Sequence, residues 1–144
     1  MDEKYIGFEI STDKSRLDVA AIDKFLSEEA YWARERTLEQ TQRAIENSIC
    51  FGVYHGMRQV GFARVVSDQA TFAYIGDVFV INEYRGRGLG KWLMETIVAY
   101  PKLQGLRRWL LATRDAHGLY AMYDFEPLHF PERWMERNAP DAYS

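Results

Sequence analysis

The sequence predicts an α+β fold, a mixed and mostly antiparallel central sheet flanked by helices, in the order β-α-α-β-β-β-α-β-α-β. Three observations carry this. Two helical periodicities follow a first strand, three strands with tight turns come next as a meander, and a strand–glycine turn–helix–strand crossover follows. At 144 residues the chain is long enough for one real core, and it reads as a single domain over 1–144 with no repeat, linker or low-complexity tract.

Tyr5-Ile6-Gly7-Phe8-Glu9-Ile10 alternates like an edge strand. Leu17 to Tyr31 carries Val19, Ile22, Leu26 and Ala30 at helical spacing, with Asp18 or Asp13 as its cap. A break near Trp32–Thr37 separates a second helix, Leu38 to Asn47. Ile49 to Tyr54 is a strand, His55-Gly56 a turn, and Gln59 to Val66 the hairpin partner. Ser67-Asp68-Gln69 turns into a long strand, Thr71 to Ile81. The helix Leu89 to Tyr100 presents Leu89, Leu93, Ile97 and Tyr100 on one face, and Pro101 ends it. Arg108 to Thr113 is the next strand and Asp115 to Tyr123 a short helix capped by Asp115. Phe125 to Met135 reads as one or two irregular strands.

Composition narrows the function. Hydrophobic content of 47% with 27% charged residues is ordinary for a soluble globular chain. The net charge of −3 argues against a broad nucleic-acid footprint. The single Cys50 excludes an internal disulfide, fits a reducing cytoplasm and sits in an apolar run that reads as a buried, inert thiol. Met1-Asp2-Glu3-Lys4 does not begin like a signal peptide, and no run approaches the roughly 18 apolar residues of a membrane span. Three scattered histidines show no metal-ligand spacing. The expectation is a cytoplasmic protein without metal, membrane or nucleic-acid partner.

The most informative stretch is Val80 to Lys91. An apolar strand end, three alternating glycines (Gly86, Gly88, Gly90) and a helix point bare backbone N–H groups at an anion. Arg85, Arg87 and Lys91 add positive charge beside the helix N-terminus. A P-loop fails, because Arg85 stands at its first glycine and Trp92 at its hydroxyl; a dinucleotide fingerprint fails on glycine spacing. What fits is R-x-x-G-x-G, met by Arg85, Gly88 and Gly90.

This block resembles the acetyl-CoA loop of the GNAT superfamily of N-acetyltransferases, whose V-x-P-x-x-R-G-x-G-x-G is matched from Val80 to Gly90 with Asn82 in place of proline. Leu110 to Phe125 resembles a second family block, N-x-x-A-x-x-x-Y-x-x-x-G-F. Ala116, Tyr120 and Phe125 match, while Thr113 replaces Asn and Asp124 replaces Gly. The resemblance implies acetyl-CoA as co-substrate and transfer of acetyl to a primary amine, on a small molecule or a peptide, by direct attack in a ternary complex. It implies that residues 85–90, including Leu89, with Lys91 beside them hold the pyrophosphate, that Phe79 and Val80 pair with the pantetheine arm, and that Thr113 contacts that arm. It further implies Tyr120 as the general acid for the departing thiolate, and a possible homodimer.

For a general base, the residues leave several candidates open. Asp77 inside Ile75-Gly76-Asp77-Val78 is unusual, since strands disfavour Asp; it reads as a base or as a buried structural acceptor. A water held by Tyr74 or Glu83, or bulk solvent, are the other routes. His117 lies one turn before Tyr120 and reads as a relay or as a solvated helix-start residue. Tyr31-Trp32 and Phe130–Trp134 are natural walls for an acceptor. The alternative to an enzyme is a GNAT-like domain that binds acyl-CoA without turnover, as a sensor or partner.

Overall fold

The computed structural model describes residues 5–30, 33, 35–140 and 142. Nine regular elements form: β1 (Phe8–Ser11), α1 (Val19–Glu28), α2 (Leu38–Glu46), β2 (Ile49–His55), β3 (Arg58–Ser67), β4 (Phe72–Val80), α3 (Leu89–Val98), β5 (Arg108–Leu111) and α4 (His117–Ala121). The sheet runs β1-β2-β3-β4-β5; the first three pairings are antiparallel and β4–β5 is parallel. This is the mixed, mostly antiparallel α+β sheet flanked by helices that the sequence predicts.

Strand alternation splits the core between two faces. Phe51, Val53, Ala63 and Val65 join Leu93, Met94 and Ile97 of α3 in one cluster. Their strand neighbours Cys50 and Phe62 join Ile22 and Leu26 of α1 and Ile45 of α2 in the other. α1 begins where Asp18 accepts from the Ala21 N–H, and α2 begins with a reciprocal capping box between Thr37 and Gln40. Cys50 is buried, and burial pushes its thiol pKa up to about 11, as an inert structural cysteine requires.

Two elements differ from expectation. Residues 125–135 contain no strand among those described, only a 3-10 turn at Pro131–Arg133, and residues 126–140 are exposed. Pro127 and Pro131 each lack the N–H a ladder needs. α4 starts at His117 and has no side-chain cap; the Ala116 N–H donates to Thr113 Oγ1 at 3.1 Å, so Thr113 rather than Asp115 organises that turn.

Candidate active site

The site begins where β4 parts from β5. Their pairing runs from Phe72↔Arg108 to Ile75↔Leu111 and stops, although β4 continues to Val80. At that point β4 carries an extra residue: the register with β3 passes from Arg64↔Gly76 to Phe62↔Phe79, two steps against three. Asp77 occupies the bulge with φ +54. The consequence is visible in the core. Ile75 and Phe79, four residues apart, would share a face in a regular strand, yet Ile75 packs in the α3 cluster and Phe79 in the α1 cluster. Phe79 stacks on Phe25 with ring centroids 4.1 Å apart. The bulge falls where the pairing with β5 ends, so residues 76–80 of β4 continue without a β5 partner.

Two arginines clamp the bulge. Arg36 reaches Asp77 with both guanidinium ends, Nη1 to Oδ2 at 2.7 Å and Nη2 to Oδ1 at 3.2 Å. Arg64 Nε reaches Oδ2 at 2.8 Å, and Arg64 Nη1 donates to Ser48 Oγ at 3.1 Å. Asp77 is 6% exposed and Arg36 9%. Burial alone would raise the carboxyl pKa, but the Arg36 hydrogen bonds and the charges of Arg64 and Arg36 outweigh it, so the pKa lies below the usual carboxylate value. A carboxylate held this way is a poor proton acceptor at neutral pH. Of the two roles open to Asp77, the geometry fits the structural acceptor. Glu83 is similarly engaged: Arg58 holds it in two 3.1 Å contacts, which lower its pKa.

The glycine loop follows β4 directly. Gly86 and Gly88 adopt φ +79 and +81, which an L side chain reaches only with strain; Gly90 does not need a positive φ. Gly88 is the N-cap of α3, so no side chain caps the first N–H groups of that helix. Arg85 Nε donates to the Val80 carbonyl at 3.1 Å, tying the loop to the strand end. Arg87 lies over the Tyr84 ring at 4.9 Å, and Tyr5 donates its hydroxyl to the Gly88 carbonyl at 3.2 Å. Leu89 is buried and packs under the loop, while Lys91 is exposed. Gly88→Ala would place a Cβ in the left-handed region. The expected cost is about 1–2 kcal/mol of folding stability, read as a lowered urea midpoint.

α4 meets the first turn of α3. A Cβ on Gly90 would stand 4.0 Å from Leu119, and Tyr123 donates to the Lys91 carbonyl at 3.0 Å. This contact sets Tyr120, one residue from Leu119, beside the loop. The Tyr120 ring is buried and packs edge-on to Phe125, with centroids 6.1 Å apart. Burial, and secondarily the charge of Asp115, raises its pKa, so the phenol stays protonated. Its hydroxyl has no hydrogen-bond partner among the described residues. Asp124 adopts φ +69 and so holds the turn that the family's glycine would make; Asp tolerates this region better than most residues. His117 is exposed. Phe130 and Trp134 are exposed as well, and Tyr31-Trp32 lies outside the described residues.

Sequence reasoning missed Arg36, Arg64 and Tyr5. An arginine facing inward at position 64 of a strand beside an interior Asp was a usable signal; nothing local pairs position 36 with position 77.

A parallel strand pair that ends at Ile75↔Leu111, followed by a glycine-capped helix, is the arrangement that comparison with known proteins assigns. The chain belongs to the Acetyltransferase (GNAT) family, whose profile matches residues 19–125. A Gibberella zeae protein named as an acetyltransferase is 32% identical over 133 residues, covering 77% of this chain and 74% of its own length. An uncharacterised N-acetyltransferase of Prochlorococcus marinus is 33% identical over 100 residues, covering 66% of this chain and 54% of its own. A solved GNAT family protein of Xanthomonas campestris pv. campestris superposes with TM-score 0.93 at 55% identity, covering 95% of this chain and 96% of that one. The family as a rule uses acetyl-CoA. Among the described residues no group of three or more His, Cys, Asp or Glu is placed to hold a metal ion, and no helix is long and apolar enough to cross a membrane.

Proposed function

We propose that residues 1–144 form one N-acetyltransferase domain that moves the acetyl group of acetyl-CoA to a primary amine, by direct attack while both substrates are bound. The observation that supports this reading is the meeting of α3, whose N-terminus no side chain caps, with α4, the helix that carries Tyr120. The co-substrate supplies an activated thioester. The N–H groups of residues 85–90 bind its pyrophosphate, with Arg85, Arg87 and Lys91 giving charge. Phe79 and Val80, past the end of the β5 pairing, offer backbone groups to the pantetheine arm as an added strand would use them. Tyr120 donates its proton to the departing sulfur.

No side-chain base is assigned. Asp77 and Glu83 are held by arginines, and the amine loses its proton to solvent or to a water near Tyr74, which is 38% exposed. The acceptor is an amine on a small molecule or a peptide, and the buried free cysteine agrees with a reducing, cytoplasmic setting.

Titration calorimetry with acetyl-CoA, with ATP and NAD as controls, tests the binding half. Selective micromolar affinity is expected. Equal binding of all three nucleotides, or none by a folded sample, would remove the co-substrate from the proposal.

A further inference from the structure

We propose that Tyr5 is a positioning residue for co-substrate binding: through the carbonyl of Gly88 it braces the loop whose N–H groups take the pyrophosphate. The inference rests on the proposed reading of residues 85–90 as that site. Gly88 caps α3 at φ +81, and no side chain caps the helix. The N–H groups of Leu89, Gly90 and Lys91 lie in its first turn and have no acceptor within it. An anion bound there is met by donors whose aim depends on the Gly88–Leu89 peptide plane. A glycine-rich loop holds such a plane weakly by itself.

Tyr5 reaches this plane from 83 residues away in the chain. Its hydroxyl donates to the Gly88 carbonyl at 3.2 Å, and the same carbonyl accepts the Trp92 N–H at 3.0 Å, the first bond of α3. Two donors on one carbonyl fix the orientation of the peptide. They also polarise it, which makes the Leu89 N–H at its other end a stronger donor. The Tyr5 ring stacks on Trp92, with centroids 4.3 Å apart and planes 13° apart, so the tyrosine grips the first turn of α3 at two points. At 7% exposure the ring belongs to the core. Packing alone would be met by phenylalanine; the hydroxyl is what reaches Gly88.

The segment that carries Tyr5 is itself anchored. The Gly7 carbonyl accepts the Gly56 N–H at 3.1 Å, and β1 pairs with β2 from Phe8↔His55 onward. The same anchor reaches the other end of the loop. Phe8 stacks on His55 with centroids 4.5 Å apart, His55 Nδ1 lies 2.8 Å from the Tyr84 hydroxyl, and Arg87 lies over the Tyr84 ring. The loop is held at Gly88 and at Tyr84 before any ligand arrives. A ligand that meets an ordered loop loses less free energy in ordering it.

Tyr5→Phe keeps the ring on Trp92 and removes only the donor. Titration calorimetry of the parent and the variant, against acetyl-CoA and against S-acetylpantetheine, separates bracing of the loop from general packing, because the second thioester lacks the pyrophosphate. The expected result is a Kd for acetyl-CoA raised about three- to tenfold, the scale of one hydrogen bond, with S-acetylpantetheine changed less than about twofold. In the ligand-free variant, NMR order parameters of the backbone amides at residues 86–90 should fall, and the Leu89 amide proton should move upfield. Equal affinity of both proteins for acetyl-CoA, weakening of both thioesters alike, or unchanged order parameters at residues 86–90 would each overturn the brace and leave the proposed function standing. A parent chain that does not bind acetyl-CoA would remove both.

Discussion

Tyr120→Phe is expected to lower kcat by about 10²–10⁴-fold with acetyl-CoA affinity changed less than about twofold, the loss that removing a positioned acid produces. The phenol has no hydrogen-bond partner among the described residues, and the substitution keeps the ring that packs edge-on against Phe125. Stability should therefore barely move, which separates chemistry from folding. The raised pKa adds a second readout. A donor must be protonated, so activity should persist up to the ordinary tyrosine value near 10 and decline only above it, and that alkaline decline should vanish from whatever activity the Phe variant retains. Steady-state kinetics across pH, beside calorimetry on both proteins, checks all three points. Unchanged kcat would remove Tyr120 from the proposed mechanism, whereas an intact chain that binds acetyl-CoA without turnover would favour the acyl-CoA-binding reading.

Asp77→Ala is expected to be the most destabilising single change, by about 3–5 kcal/mol, because it leaves the buried guanidinium of Arg36 and the largely buried one of Arg64 without the carboxylate that both share. That corresponds to a fall in Tm of roughly 10 °C for a domain of this size. The cost has two sources: unmatched buried charge, and loss of the clamp that ties the segment before α2 to the bulge in β4. Asp77→Asn keeps the shape and one acceptor oxygen, so it should fall between Ala and the parent chain. The pH dependence has a definite sign. The folded pKa lies below the ordinary value of 3.8, so the contribution is complete above about pH 4 and is lost as pH falls from there through the folded pKa. Denaturant unfolding of both proteins between pH 3 and 7 should show a steep acid limb in the parent that is shallower in the Asn variant. A parent curve without that limb would mean the clamp contributes little.

The glycine loop shows how far local reading reaches. Gly86 and Gly88 sit at positive φ and Gly88 caps α3, as strand, glycine turn and helix implied from residues 80–91 alone. Helix spacing, turn chemistry and alternation are properties of neighbouring residues, which is why the meander, the crossover and the Asp18 cap of α1 were legible. Asp124 is a contrasting case. It stands where the family block has glycine, and its backbone is left-handed all the same. The tail misled in the opposite direction, since its apolar residues read as strand while it carries two prolines and pairs with no strand among the described residues.

The sequence by itself determined the α+β order and the glycine loop that opens α3, because each is written in short-range spacing. Tertiary structure alone decided what Asp77 does. A carboxylate in a strand is equally readable as a base or as a buried acceptor until its surroundings are known. Those surroundings come from Arg36, 41 residues away, and from Arg64 on the adjoining strand. Charge pairing across such separations depends on which faces the fold brings together. Here one extra residue in β4 falls at Asp77, which both arginines hold, close to where the pairing with β5 ends.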